Sequence, residues 1–169
     1  AFTATNTGTT SVTATLTITP TAASCPGPPL TYTITVNPLP VISAPVDINV
    51  CSGVAIPAGS IASTPSGATY TWTNSNSAIG LAASGTGQVP GFTASNYSSS
   101  AITGTISVTP AIGTCVGTPV TYTITVNPLP VISAPADIMV CSGTAIPAGS
   151  IVSTPAGATY TWTNSNSAI

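Results

Sequence analysis

Apolar and polar residues alternate along several short stretches of the chain. From Val12 to Ile18 the apolar residues stand at even positions, with threonines between them. The same period recurs in four further groups: Tyr32, Ile34 and Val36; Tyr70 and Trp72; Ile102, Gly104, Ile106 and Val108; Tyr122, Ile124 and Val126. A period of two is typical of a strand with one buried face, and threonine and β-branched residues favour strands. No stretch shows the helical period, so the pattern predicts an all-β fold.

The chain contains an internal repeat with an offset of 90 residues. The segment TYTITVNPLPVISAP at 31–45 returns at 121–135, and residues 31–78 match 121–168 almost throughout. The differences are Val46/Ala136, Asn49/Met139, Val54/Thr144, Ala62/Val152 and Ser66/Ala156. Residues 1–30 align more loosely with 91–120. One unit of about ninety residues has therefore been copied.

Proline predicts where one unit ends. NPLP occurs at 37–40 and at 127–130, each time directly after an alternating stretch. Proline has no backbone donor and restricts the residue before it, so a strand must stop there, and the closely spaced prolines favour a stiff connection. We predict a first, partial unit at 1–37, a complete central unit at 38–127 and a last, partial unit at 128–169. We expect the chain to be a stretch of a longer array.

The number and spacing of the short strands predict an immunoglobulin-like β-sandwich for each unit. We expect strands at 68–74, 101–109 and 119–127 to share one sheet, with their aromatic and aliphatic side chains in the core. Shorter strands are expected at 41–44, 47–51, 54–56 and 60–63.

That arrangement predicts a face of threonines on the outer side of the shared sheet. Its members are Thr69, Thr71, Thr73, Thr103, Thr105, Thr121, Thr123 and Thr125. Such a face is first of all a surface compatible with strands, with cross-strand threonine pairs each contributing about 0.2–1 kcal/mol. The alternative is a face that binds glycans, ice or other copies of the chain.

Charge is almost absent. The 169 residues include two aspartates, Asp47 and Asp137, and no Lys, Arg, Glu or His. Cations supply most of the affinity for nucleic acids and for anionic lipids, so neither is an expected partner. No apolar run approaches the roughly 20 residues that span a bilayer, so this segment is not expected to insert into a membrane. The expected partners are neighbouring units, with surface glycans or other copies of the fibre as further options.

Two cysteines occur in each unit, and they indicate an oxidising, extracellular setting. The complete unit carries Cys51 and Cys115, and the partial units carry Cys25 and Cys141. Within one unit, a Cys51–Cys115 bond would close a loop of about 64 residues and stabilise the fold by roughly 4 kcal/mol. A plain immunoglobulin-like topology places these residues at opposite poles, so the alternative is a bond between Cys51 and the hairpin cysteine of a neighbouring unit outside this sequence. Cys25 and Cys141 are expected to pair with residues outside this sequence. Free buried thiols remain an alternative.

The sequence contains no candidate residues for catalysis. General acid–base catalysis needs groups that titrate near neutrality, and a nucleophilic serine needs a base. Asp47 and Asp137 are equivalent positions of two units and form no pair, and the cysteines lack metal-ligand spacing. We expect no enzyme, no cofactor and no metal. Asn96-Tyr97-Ser98 matches the N-glycosylation pattern, which the equivalent Asn6 lacks.

Several motifs together resemble a known family. They are VCSG near the start of the unit, TYTWTN in the middle, and SVTP followed by GTCVGTPVTYTITVNPLP at the end. These motifs are similar to the PKD-like repeats of giant cell-surface proteins of Bacteroidetes. The resemblance implies immunoglobulin-like repeats in the stalk of an adhesin that the type IX secretion system exports, such as the adhesin filament of gliding motility.

Three hypotheses about function follow. The first is a structural stalk repeat of a long cell-surface adhesin, in which each unit extends a rod by about 40 Å, given the expected strand lengths. The second is a binding module that uses the threonine face. The third is a self-assembling extracellular sheath, in which chains pair side by side.

Overall fold

The computed structural model describes residues 1–133, 135–146, 149 and 151–166. Strands and loops make up this part of the chain, together with a 3-10 turn at Ser77–Ile79. The fold class is all-β, as the alternation predicts.

The strands are grouped by the three predicted units. The first unit contains β1 (Val12–Ile18), β2 (Thr21–Ala22), β3 (Cys25–Pro26) and β4 (Leu30–Val36). The central unit contains β5 (Val41–Ile42), β6 (Ile48–Cys51), β7 (Ala55–Ile56), β8 (Ser63–Thr64), β9 (Thr69–Asn74), β10 (Ser84–Thr86), β11 (Phe92–Thr93), β12 (Ile102–Ile112), β13 (Cys115–Val116) and β14 (Val120–Asn127). The last unit contains β15 (Val131–Ile132) and β16 (Ser153–Thr154).

The main sheet of the central unit has the strand order β10-β9-β12-β14-β6, with β13 attached to the end of β12. Strands β9, β12 and β14 are antiparallel neighbours, which confirms that the three longest predicted strands share one sheet. Strand β6 adds to the edge of β14 in parallel, with Ile48 opposite Ile124 and Cys51 opposite Asn127. The alternation gave no signal for this parallel edge.

Two short ladders, β5 with β8 and β7 with β11, cover the apolar face of the main sheet. The core between the layers comes entirely from the central unit. Its buried apolar members are Ile42, Ile56, Ile61, Trp72, Ile79, Leu81, Val89, Ala94, Ile106, Val108, Tyr122, Ile124 and Val126. The layers and core form a sandwich of the immunoglobulin-like type.

The first and last units contain those strand pairs of the central unit whose two strands are close in sequence. Strands β1 and β4 pair with Val12 opposite Val36, the register of Ile102 opposite Val126 in the central unit. In the last unit, β15 pairs with β16 as β5 pairs with β8.

Candidate functional site

The eight predicted threonines lie on one face of the main sheet. Thr103 is opposite Thr125 and Thr105 is opposite Thr123, and the hydroxyl oxygens of Thr103 and Thr125 are 2.9 Å apart. Thr73 and Thr121 flank Ser107 on its two sides. Six of the eight are exposed, while Thr123 and Thr125 are half-buried. The structure therefore brings the threonines together; whether they bind anything stays a prediction.

Further hydroxyl groups belong to the same face, and the sequence reasoning missed them. Ser107 lies between Thr73 of β9 and Thr121 of β14, and Thr109 lies opposite Thr71 of β9. Ser84 and Thr86 extend the face onto β10. The signal was available, because Ser107 and Thr109 continue the odd-numbered positions of Thr103 and Thr105. The face is a neutral lattice of hydroxyl groups.

Asp47 supplies the charge nearest to this face. It lies directly before β6, and its carboxylate accepts a hydrogen bond of 2.6 Å from the backbone N–H of Thr123. The carboxylate is exposed and also fixes the start of the parallel edge. Asp47 therefore has a structural role in addition to its charge.

The NPLP linker is packed against the unit that it enters. Pro38 and Pro40 are buried. The α-carbon of Gly117, in the turn after β13, approaches the carbonyl oxygen of Pro40 so closely that a β-carbon would collide with it. The glycine of the CxG motif thus allows the hairpin of a unit to close over its own linker, a role that the motif spacing alone did not reveal.

The two cysteines of the central unit lie at opposite poles. Cys51 pairs with Asn127, where the chain leaves the unit, and Cys115 pairs with Ile112 at the far end of the hairpin. Strand β12 spans 11 residues between these levels, or roughly 35 Å at the usual rise per residue. A disulfide needs α-carbons about 4.4–6.8 Å apart. Of the two pairings considered from the sequence, this geometry favours the one between units.

The family model of the PKD-like domain matches residues 3–40 and 48–130, more than half of the chain. The chain belongs to the PKD-like domain family. Both matched segments end within an NPLP linker. A search among curated proteins finds no match.

Membership of the PKD-like family fits the architecture of the central unit, an all-β sandwich. PKD-like domains are typically extracellular modules of a structural or adhesive type, and this chain is one of them. In the part of the chain that the structure describes, no helix is long and apolar enough to cross a bilayer.

Asn96 of this PKD-like unit is buried, although it stands in a glycosylation pattern. Its amide nitrogen donates to the carbonyl oxygens of Ser100, at 2.8 Å, and Val126, at 2.7 Å. Asn6 donates in the same way to Thr10 and Val36, each at 2.8 Å. The asparagine therefore ties a loop to the last strand, and its recurrence in both units was the available signal.

An apolar cavity opens between the two layers beside β6. Ile48, Ile56, Phe92, Tyr122 and Ile124 line it, together with prolines and small residues. Burial raises the pKa of the Tyr122 phenol, which stabilises its neutral form. Besides apolar side chains, the described lining includes the hydroxyl groups of Ser43 and Ser60, and the phenol is its one titratable group.

No group of three or more His, Cys, Asp or Glu residues lies together among the residues that the structure describes. The two aspartates belong to different units, and Cys51 and Cys115 are a sheet length apart. The site features of this chain are therefore a neutral hydroxyl face, a packed linker and a thiol near each pole.

Proposed function

We propose that the chain is a run of stalk repeats from a long bacterial cell-surface adhesin, without catalytic activity of its own. The filament adhesins of gliding motility, exported by the type IX secretion system, are the kind of parent that the repeat motifs suggest. PKD-like domains are typically extracellular and structural, which supports a structural role for this chain outside the cell.

The packed linker carries the proposal. The chain enters the central unit through Pro38 and Pro40, which are buried against that unit, and it leaves from Asn127 at the opposite pole. The amide of Asn127 donates to the side-chain oxygen of Asn49 at 2.6 Å, so the exit is held as well. In the next linker Pro128 is half-buried and Pro130 is exposed. Units that are joined at opposite poles by short linkers packed as Pro38 and Pro40 are form a rod.

Composition supports an exposed rod. The chain contains no Lys or Arg, so trypsin has no cleavage site in it. The neutral hydroxyl face neither attracts nor repels charged macromolecules over long distances. Both properties suit a spacer that holds a binding domain away from the cell.

Small-angle X-ray scattering on arrays of increasing length tests the stalk. Arrays are made by inserting one, two or four further copies of residues 38–127 after Asn127 of the full chain. We expect the maximum dimension to grow by about 40 Å per copy. A flexible chain of units would instead grow with the square root of their number.

Linker variants provide the matched comparison. Pro38→Gly with Pro40→Gly, repeated in each copy, should shorten the particle, whereas the exposed Pro29→Gly should not. Growth with the square root of the copy number in the unaltered array would contradict the rod. Compact side-by-side particles would favour the sheath.

The hydroxyl lattice supports a second candidate, a face that binds glycan or ice. Regular rows such as Thr103–Thr125 and Thr105–Thr123 present hydroxyl groups at the spacing of neighbouring strands. Glycan-array binding and thermal hysteresis of the full chain test this function, with Thr71→Lys and Thr105→Lys as face variants. Glycan binding or thermal hysteresis that these variants abolish would establish the binding module. The absence of both in the unaltered chain would rule out this function.

A further inference from the structure

Cys51 lies at the pole where the chain leaves the central unit. It ends the parallel edge opposite Asn127, and the next residue, Ser52, donates its backbone N–H to the carbonyl oxygen of Asn127 at 2.8 Å. Its side chain is exposed. The thiol therefore lies beside the last residue before the following linker.

Cys115 lies at the pole where the chain enters. The hairpin that carries it is closed by the backbone N–H of Gly117, which donates to Pro110 at 2.9 Å, and Gly117 lies against Pro40 of the linker. Cys115 is half-buried. This thiol is therefore beside the linker from the preceding unit.

The joint between the first and central units shows which parts meet there. One cavity is lined by Thr9, Thr10, Ser11 and Asn37 of the first unit and by Pro38, Pro65, Ser66 and Ile112 of the central unit. Asn37 is the copy of Asn127, the residue that pairs with Cys51. Ile112 is the residue that pairs with Cys115. The joint thus brings together the immediate neighbours of the two cysteine positions.

We propose that the Cys51-type cysteine of each unit forms a disulfide with the Cys115-type cysteine of the unit that follows. The bonds run along the array and connect successive units beside each NPLP linker. Cys51 pairs with the copy of Cys115 in a completed following unit, and Cys115 pairs with the copy of Cys51 in a completed preceding one. This inference deepens the stalk proposal and rests on it.

The bond forms by thiol–disulfide exchange with a disulfide oxidant of the extracellular medium. One cysteine thiolate attacks a sulfur of the oxidant and forms a mixed disulfide, which releases the first oxidant thiol. The second cysteine thiolate then attacks the protein sulfur of the mixed disulfide and releases the second oxidant thiol. The two cysteines lose two protons and two electrons in total, and the oxidant is reduced to two thiols. The new S–S bond joins the sulfur atoms of two units.

Two extensions of the full chain test the pairing. In the first, residues 80–127 are repeated after Asn166-Ser167-Ala168-Ile169, which completes the last unit and supplies a copy of Cys115. In the second, residues 38–90 are repeated before Ala1, which completes the first unit and supplies a copy of Cys51. Oxidised glutathione is the oxidant, and mass spectrometry of non-tryptic peptides locates the bonds.

We expect each extension to lose two thiols per chain and to contain one new bond. The first extension should link Cys51 to the added copy, with loss of the bond in Cys51→Ser and retention in Cys115→Ser. The second extension should link Cys115 to the added copy of Cys51. In that extension the bond should be lost in Cys115→Ser and retained in Cys51→Ser. The unextended chain should form no Cys51–Cys115 bond.

A Cys51–Cys115 bond, or free Cys51 and Cys115 in both oxidised extensions, would overturn the pairing. Burial of Trp162, read from its fluorescence, shows that the first extension has completed the last unit. Scattering from oxidised arrays separates the two proposals. Linear growth of arrays in which mass spectrometry finds no such bond overturns the disulfide alone, whereas growth with the square root of the copy number in bonded arrays overturns the stalk.

Discussion

The segment TYTWTN occurs twice in the chain and has two different structures. At 69–74 it forms strand β9, and Trp72 is 4% exposed. At 159–164 the same residues form no strand, and Trp162 is 84% exposed. The central copy lies between β10 and β12, and the described part of the last unit contains no counterpart of either strand. Strand formation in this segment therefore depends on its neighbours, and its composition alone is insufficient.

Local pairs behave differently. The hairpin β1/β4 keeps the register of β12/β14, although the described residues of the first unit contain no second sheet opposite it, and only the segment 2–5 borders its apolar face. The turn around Ser63 also recurs around Ser153: each hydroxyl donates to a proline carbonyl oxygen two residues ahead at 2.7 Å. Contacts that are close in sequence form in partial units, whereas the core needs both halves of the sandwich.

The largest effect is expected when the last unit is completed. Repeating residues 80–127 after Ile169 should bury Trp162 and shift its fluorescence emission to shorter wavelength. The completed unit should show a cooperative unfolding transition of about 5–15 kcal/mol, since it then has a core of its own. The control carries Asp in place of the added copy of Ile106. Unchanged tryptophan emission in the extended chain would contradict the dependence on the second half.

The next test removes each tryptophan in turn. Trp72→Ala should lower the free energy of unfolding of the central unit by about 3–5 kcal/mol, because it leaves a cavity in the core. Trp162→Ala should change stability by no more than about 0.5 kcal/mol, because that side chain is exposed. Guanidinium unfolding followed by circular dichroism measures both. An equal loss of unfolding free energy in the two variants would show that both tryptophans are buried to the same extent in solution.

A smaller effect is expected at Gly104. A β-carbon there would lie 2.6 Å from the side-chain oxygen of Asn74 and 2.8 Å from the δ-carbon of Ile79. Gly104→Ala should therefore destabilise the central unit by about 1–3 kcal/mol. The first unit already carries Ala14 at the equivalent position.

The matched control is Ala14→Gly, which should cost at most about 1 kcal/mol through backbone entropy. Denaturant unfolding of both variants measures the difference. A neutral Gly104→Ala substitution would mean that Asn74 and the 3-10 turn at Ser77–Ile79 adjust without cost.

The smallest expected effect is on pH dependence. Burial raises the pKa of Tyr122, so the folded unit binds the phenolic proton more tightly than the unfolded chain does. The stabilisation from the neutral phenol is fully present below the unfolded pKa of about 10 and is lost as pH rises through the raised folded value. Unfolding free energies measured from pH 8 upwards should fall, and Tyr122→Phe should reduce that slope. An identical slope in the variant would contradict the role of the phenol.

Much of the main sheet could be predicted because alternation reports directly on a buried face. Ile106, Val108, Tyr122, Ile124 and Val126 are all buried where the pattern placed them. The threonine face follows from the same period, and continuing the odd positions to the end of the predicted strand 101–109 would have added Ser107 and Thr109.

Other features depend on contacts that a local pattern does not contain. The parallel addition of β6 to β14 joins segments about 76 residues apart, and the contact of Gly117 with Pro40 is similarly distant. The buried amide of Asn74 donates to the carbonyl oxygens of Asn76 and Leu81, which only the folded loop brings together. Asn74 ends β9 on the same face as Tyr70 and Trp72, but its side chain is polar, so the pattern of apolar residues does not predict its burial.

The parallel pairing of β6 and β14 determines how the unit responds to tension. Strand β6 follows the entry point and β14 precedes the exit, and both run in the same direction. Pulling the two ends apart slides these strands past each other along their length. The ladder from Ile48–Ile124 to Cys51–Asn127 is then loaded in shear, with its hydrogen bonds sharing the force, and it does not open one bond at a time. Resistance to extension is therefore concentrated in a strand of four residues at the edge of the sheet.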